Sequence, residues 1–300
     1  MADKFLHVHD GDLGYVPRPG VRGSVQAGGP VTIEANGFRF SGDKPVSADT
    51  PILAVGDSFT YGEDVGDLDA WPSQLQWMIG RTILNGGVSG YGLDQIVLRT
   101  ERLVALHKPA LVIVSMIAND VQRTEWRRLW WHDKPWFAFE EGRLLLRGVP
   151  IPERTILPLS IRRRMERLLF GLPPALQQLT GYSIRVHPAG TGATISRALI
   201  ERLANLQLAS RVKLVLVAQY DAHAWLGRGQ AQEQRNVLGP LLQCAAMRGI
   251  ETLDTFHRLA AEPRPGDFYA THHMNARGNQ MIASLLAARM RTWSAELLSG

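Results

Sequence analysis

Cysteine is nearly missing from this chain. Cys244 is the only one in 300 residues, so no disulfide can form within the chain, and the scarcity of thiols is compatible with a reducing compartment. No run of about 18 apolar residues is present, so a membrane-spanning helix is not expected. The first residues, MADKFLHVHDGDLG, are partly acidic and lack the apolar core of a signal peptide. We therefore expect a cytoplasmic protein.

A strong charge of one sign is missing as well. The formal net charge is +5, which is too small for a nucleic-acid-binding protein of this length. One local run is more basic, and its sequence over 161–170 predicts an amphipathic helix that contacts an anionic lipid or sugar weakly. Its charged residues are Arg162, Arg163, Arg164, Glu166 and Arg167. The sequence does not determine an oligomeric state.

Short apolar runs and helical patterns alternate along much of the chain. With 45% of its residues hydrophobic, the chain can bury a large core without a metal or a disulfide. The alternation is typical of an α/β fold with about five parallel strands in one open sheet, a flavodoxin-like three-layer sandwich. The apolar runs lie at 51–55, 82–84, 110–116, 212–218 and 250–254.

Two segments depart from this alternation. Residues 1–50 are rich in Gly, Pro and Asp, and Asn36-Gly37 predicts a hairpin turn, so we expect an N-terminal arm with a small hairpin before a main domain at 51–300. The distance between the third and fourth strands is too long for one crossover helix. It predicts an insertion at about 121–190, with a hairpin over 136–147 followed by the basic helix.

Aromatic residues at the start of this insertion have two interpretations. They either belong to the core or form a lid or acyl-pocket wall, because the insertion leaves the carboxyl edge of the sheet. The set is Trp126, Trp130, Trp131, Trp136 and Phe137. His7 and His9 have a spacing that suits a metal, but an exposed arm is the favoured interpretation, and no metal is expected.

Ligands bind beyond the carboxyl ends of strands in such sheets, and four loops there carry reactive side chains. Gly56-Asp57-Ser58 follows the first strand, a glycine-rich turn ending at Gly90 follows the second, and Asn119 follows the third. His272-His273 precedes the last helix. A neighbouring imidazole activates a serine hydroxyl by taking its proton, which favours Ser58 as nucleophile and His273 as base.

These four stretches, in this order, resemble the four sequence blocks of the GDSL/SGNH hydrolases. The resemblance covers 50–120 and 265–290 closely and leaves the insertion outside. It implies that the oxyanion of the reaction is held by the backbone N–H groups of Ser58 and Gly90 and by the side-chain amide of Asn119. Asp57 and Asp120 are expected to be structural, shaping their turns through bonds to the backbone.

One feature of the family is missing. Members usually have an aspartate two or three residues before the histidine, where this chain has Thr271 and Ala270. Two explanations stay open: a bulged loop brings Asp267 to Nδ1 of His273, or a backbone carbonyl orients the ring and the site is a dyad, which is slightly favoured. His272 is an alternative base, with His273 preferred from its register with the following helix.

The sequence therefore predicts a serine esterase that uses no cofactor and forms an acyl-Ser58 intermediate. From the family resemblance alone, we expect a short acyl group, such as acetyl, on a carbohydrate or similar alcohol. A first alternative is an O-acyltransferase with the same site, acting in surface-polysaccharide modification. A second is a weak or silent module that binds glycan or lipid, which the missing aspartate favours.

Overall fold

The computed structural model describes residues 6–26, 29–43, 50–153, 165, 168–227 and 229–292. In chain order the strands are β1 (His7–Asp10), β2 (Gly14–Pro17), β3 (Ser24–Gln26), β4 (Gly29–Val31), β5 (Ile52–Val55), β6 (Ile83–Asn85), β7 (Leu111–Met116), β8 (Trp126–Leu129), β9 (His132–Asp133), β10 (Trp136–Glu140), β11 (Arg143–Arg147), β12 (Ile184–Arg185), β13 (Lys213–Ala218) and β14 (Glu251–Asp254). The helices are α1 (Ser58–Tyr61), α2 (Trp71–Ile79), α3 (Leu93–His107), α4 (Ala118–Arg123), α5 (Pro174–Leu179), α6 (Gly192–Ser210), α7 (Gln230–Ala246), α8 (Phe256–Ala260) and α9 (Ala276–Thr292).

Five parallel strands form the central sheet, in the order β14-β13-β7-β5-β6. Successive residues of a strand face opposite sides. In β5, Leu53 and Val55 belong to the core shared with α3, α6 and α7, whereas Ile52 and Ala54 belong to the core shared with α2 and α9. Helices thus cover both faces, as parallel sheets require. The predicted three-layer α/β fold with five parallel strands is confirmed.

Cys244 is buried within helix α7. Across the described ranges, no helix combines the length and apolar character that crossing a membrane requires. The cytoplasmic location stays a prediction.

The N-terminal segment packs tightly against the core. It forms two hairpins, β1–β2 and β3–β4, and a turn at Asn36-Gly37 closed by a bridge between Ile33 and Arg39. Leu13 and Tyr15 join the main core. His7 is only 6% exposed and meets the Tyr15 ring edge-on, whereas His9 is exposed. The expected exposed position is therefore wrong for His7 and correct for His9.

The insertion contains the predicted hairpin, formed by β10 and β11. A second small sheet pairs β12, β8 and β9. Most of the predicted basic helix, including all of its arginines, lies outside the described residues, and within it the structure describes Met165 and the helical residues 168–170.

A buried lysine ties the insertion to the sheet domain. Lys134 is 3% exposed, and its ammonium pairs with the carboxylate of Asp94 in the first turn of α3. The same Nζ donates to the carbonyls of Trp126 at 3.1 Å and Pro135 at 3.0 Å. Burial raises the pKa of Asp94 and lowers that of Lys134, while the mutual attraction of the pair opposes both shifts.

We expect Lys134→Met to lower the free energy of unfolding by about 3–5 kcal/mol at about pH 8, because it leaves the Asp94 carboxyl buried without its cation. Burial then raises the pKa of Asp94 above its unfolded value. A raised pKa in the folded state lowers the free energy of unfolding by an amount that grows as the pH rises above the unfolded pKa. The loss should therefore be smaller at about pH 5 than at about pH 8. Urea unfolding of the wild type and the variant at both pH values measures the difference in free energy of unfolding.

Lys213→Met, at an exposed lysine, is the control, and Lys134→Met with Asp94→Asn should recover much of the loss. Equal stability of the Lys134 and Lys213 variants would contradict this account of the buried pair.

Candidate active site

Ser58 stands at the start of α1, directly beyond the carboxyl end of β5. Asp57 caps this helix, because its Oδ1 accepts the N–H of Phe59 at 2.9 Å. A Cβ on Gly56 would lie 2.8 Å from the carbonyl oxygen of Ser115, so only glycine allows this close approach to β7. The turn therefore holds the Ser58 side chain at the edge of the sheet.

His273 lies in the loop before α9 and faces Ser58. Its Nε2 is 3.0 Å from Ser58 Oγ, a hydrogen-bond distance. The N–H of Ala270 donates to the His273 carbonyl at 3.0 Å, and the ring packs against Phe59 with centroids 5.3 Å apart. The neighbouring His272 instead stacks on His223, at 4.9 Å. Of the two candidate bases, the structure brings His273 to the serine.

The other ring nitrogen of His273 faces an acid that the sequence analysis missed. Nδ1 lies 3.3 Å from Oδ2 of Asp64, and the Thr271 hydroxyl donates to the same oxygen at 2.6 Å. Asp267, the predicted acid, points elsewhere: its carboxylate pairs with Arg264 at 3.0 Å and is 45% exposed. Neither of the two explanations left open by the sequence describes this contact. The loop forms a short 3₁₀ turn at Pro265–Phe268 rather than a bulge toward His273, and Nδ1 faces the Asp64 carboxylate rather than the backbone carbonyl of the slightly favoured dyad.

Gly90 and Asn119 line the same pocket as Ser58 and His273. The pocket has a volume of about 420 Å³. Gly90 has φ +81°, and a Cβ there would lie 2.9 Å from Tyr15 Oη and 3.1 Å from the Trp130 ring. Asn119 lies in the first turn of α4. The four residues that the sequence singled out from separate loops are thus neighbours.

A charged cluster lies beside the serine turn, with two buried aspartates and an arginine that also lines the pocket. Arg123 Nη1 donates to Asp120 Oδ1 at 2.7 Å and lies 3.5 Å from Asp57 Oδ2. Burial raises the pKa of Asp120 well above its usual range, and the nearby Asp57 adds to the shift. The other Asp120 oxygen accepts the N–H of Ile117 at 2.9 Å, so both aspartates bond backbone groups, as expected.

The two ends of the pocket differ in character. The aromatic end is a group of contacting rings from the N-terminal segment and the insertion, in which the Arg123 guanidinium lies over the Trp130 ring. Its rings belong to Tyr15, Trp130, His132 and Phe170. The polar end is a second group of contacting side chains, in which His223 pairs with Asp221 and stacks on His272. His223 has a half-exposed side chain, so this end opens toward solvent.

Among the five aromatic residues at the start of the insertion, Trp130 lines the pocket. Phe137 is in the core, Trp126 is buried, Trp131 packs on Tyr182 and Trp136 on His187. Both interpretations of the set therefore apply, each to different members.

Trp130 reaches the pocket from an unusual turn. Trp130 and Trp131 form the two-residue connection between β8 and β9, with φ of 50° and 63°. Positive φ at both positions of a hairpin turn strongly favours Asn-Gly, and bulky residues there are strained. The N–H of Trp131 donates to the Tyr182 carbonyl at 2.7 Å, which helps to hold this geometry.

In the part of the chain that the structure describes, no cluster of three or more His, Cys, Asp or Glu side chains is suited to hold a metal. The His7 and His9 pair forms no such group with described neighbours.

Comparison with known proteins gives a family match over most of the chain. The model of the GDSL-like Lipase/Acylhydrolase family matches residues 54–281. Over 79 residues the chain is 32% identical to thioesterase 1/protease 1/lysophospholipase L1 of Escherichia coli strain K12. That match covers 26% of this chain and 38% of the relative's length.

One solved structure of low sequence identity shares the fold, and a second one is similar to this chain to a lesser degree. An alpha/beta hydrolase enzyme from the metagenome of Lake Arreo, Spain, has a TM-score of 0.51 and 15% identity, over 84% of this chain and 100% of that one. A lipase/acylhydrolase from Enterococcus faecalis has a TM-score of 0.48 and 14% identity, over 80% of this chain and 95% of that one.

The family match spans all four loops that meet at the pocket, from the serine turn to the histidine before α9. The sequence-based prediction of the family is confirmed. This chain belongs to the GDSL-like Lipase/Acylhydrolase family.

Proposed function

We propose that this protein hydrolyses a carboxylic ester through an acyl-Ser58 intermediate, with His273 as general base and then general acid. The observation that carries the proposal is the 3.0 Å contact between Ser58 Oγ and His273 Nε2. Nε2 takes the hydroxyl proton as Oγ attacks the carbonyl carbon, and then gives that proton to the departing alkoxide. Water, deprotonated by the same nitrogen, releases the acid and restores Ser58.

The tetrahedral intermediate needs hydrogen-bond donors for its oxyanion. We assign this role to the N–H of Ser58, the N–H of Gly90 and the Nδ2 amide of Asn119. Support comes from the pocket, which all three residues line together with His273. Asn119 Nδ2 also lies 3.5 Å from Asp221 Oδ2, which orients the amide at the polar end.

A short acyl group on a polar alcohol suits this pocket. Its volume of about 420 Å³ is near the lower end of the roughly 300–1,000 Å³ typical of small-molecule sites. The aromatic end, closed by Trp130 beside Gly90, would hold a small acyl group such as acetyl. The open end, with Asp221 and His223, offers hydrogen-bonding groups to an alcohol such as a sugar.

The same open end would also admit an acceptor alcohol in place of water, which is the acyltransferase alternative. Reaction in excess acceptor sugar separates the two: transfer product in excess of free acid would favour the transferase. A silent binding module has less support, because binding alone does not require the contact between Ser58 and His273.

We expect Ser58→Ala and His273→Ala each to reduce kcat for a chromogenic acetate ester by about 10⁴-fold or more, since either change removes the nucleophile or its base. Ser284→Ala, at an exposed serine of α9, is the control and should hydrolyse the ester at the wild-type rate. Wild-type rates in the Ser58 variant would rule out the acyl-serine route.

We expect Trp130→Ala to raise kcat/KM for an octanoate ester relative to the acetate ester by about tenfold or more, because removing the ring lengthens the aromatic end of the pocket. Trp131→Ala is a matched control, since it alters the same turn but removes a ring that packs on Tyr182. An unchanged chain-length preference, or the same change in both variants, would contradict Trp130 as the wall that limits acyl length.

A further inference from the structure

A histidine that acts as base needs one ring nitrogen protonated and held, so that the other presents its lone pair to the serine. We propose that Asp64, in the loop that follows Ser58, is the carboxylate that orients His273, in place of the acid that the family usually has before the histidine. This inference rests on the proposed function, in which His273 is the base.

The geometry suits this role on both sides of the ring. Asp64 Oδ2 is 3.3 Å from Nδ1, while Nε2 is 3.0 Å from Ser58 Oγ. A proton on Nδ1 donates to Asp64 and leaves Nε2 free to accept the serine proton. Once Nε2 is protonated, the ring is a cation beside a carboxylate, and the Nδ1 proton stays where it is.

The backbone of the loop that carries Asp64 is constrained. Its backbone has φ +66°, a conformation that few residues other than Gly, Asn and Asp adopt readily. The N–H groups of Gly62 and Glu63 both donate to the carbonyl of Ser58, at 2.9 and 3.0 Å. The loop that carries Asp64 is therefore bonded directly to the residue that carries the nucleophile.

Arg39 supports the same loop from the N-terminal segment. Its guanidinium is buried and donates to the carbonyls of Tyr61, Gly62 and Val65, on both sides of Asp64. Thr271 completes the arrangement, because its hydroxyl donates to Asp64 Oδ2 at 2.6 Å. Thr271 stands two residues before His273, at one of the positions where the family usually has the acid itself. Here that position holds a donor for a carboxylate that comes from elsewhere.

The test compares Asp64→Asn with Asp267→Asn. Asparagine keeps the size of the side chain and tolerates the positive φ, but its amide favours the tautomer with the proton on Nε2, which cannot accept from Ser58. We expect Asp64→Asn to lower kcat by about 10³- to 10⁴-fold with KM nearly unchanged. Asp267→Asn should keep the wild-type kcat.

A second measurement needs no substrate and separates positioning from a structural effect. In the resting wild-type enzyme, ¹⁵N NMR should show His273 protonated at Nδ1, and Asp64→Asn should shift the proton to Nε2. Asp64→Gly, which fits positive φ at no steric cost, should lose activity as well and replaces Asp64→Asn if that variant fails to fold.

Wild-type kcat in Asp64→Asn, an equal loss in Asp267→Asn, or an unprotonated Nδ1 in the wild type would each overturn the proposal. A Ser58→Ala variant that stays active would instead refute the proposed function. The NMR result would still report on the pair of Asp64 and His273.

Discussion

The guanidinium of Arg39 joins the N-terminal segment to the serine turn, and the geometry of the site depends on it. Arginine keeps its charge at every accessible pH and donates in several directions at once. Here those donors bond three backbone carbonyls, one at the end of α1 and two in the loop after it, and Nε lies 3.4 Å from Asp67 Oδ1. One side chain thus donates to three backbone carbonyls, two of which also accept longer hydrogen bonds, Tyr61 from the Asn85 amide at 3.5 Å and Gly62 from the N–H of Val65 at 3.4 Å. Residues before the first strand of the sheet thus help to build the site.

Other charges reinforce the same edge of the sheet. Arg123 lies beside the serine turn, between Asp57 and Asp120, and its guanidinium also packs against the Trp130 ring at 5.5 Å. Lys134 holds the insertion against α3. Each of these cations connects elements that are distant in the chain, so the pocket walls and the reacting groups belong to one continuous network.

Much of the fold could be predicted from local pattern. The runs that became β5, β7 and β13 are short and almost entirely apolar, and parallel strands buried on both faces require such runs. The four loops were also identifiable, because ligands bind beyond the carboxyl ends of these strands and the residues there are reactive. The acid that faces Nδ1 of His273 could not be identified from the sequence. Its position depends on a positive φ at Asp64 and on contacts with Arg39, and neither is visible in residue spacing.

The aromatic insertion shows a similar limit. Periodicity could not tell Trp130 from Trp131, since the two are adjacent and chemically identical, and the turn that separates them is one that bulky residues rarely form. Likewise, the Gly-, Pro- and Asp-rich composition predicted an N-terminal arm with a small hairpin and gave no sign that Leu13 and Tyr15 are core residues. In both places tertiary contacts decided the structure against local preference.

The turn at Trp130 and Trp131 places two demands on the same pair of residues. Asparagine and glycine there would relieve the backbone and make the hairpin more stable. They would also take away the ring that stands over Gly90. Selection for a robust fold and selection for a narrow range of substrates thus oppose each other at these two positions. Homologues that differ there should reveal which pressure prevailed in each lineage.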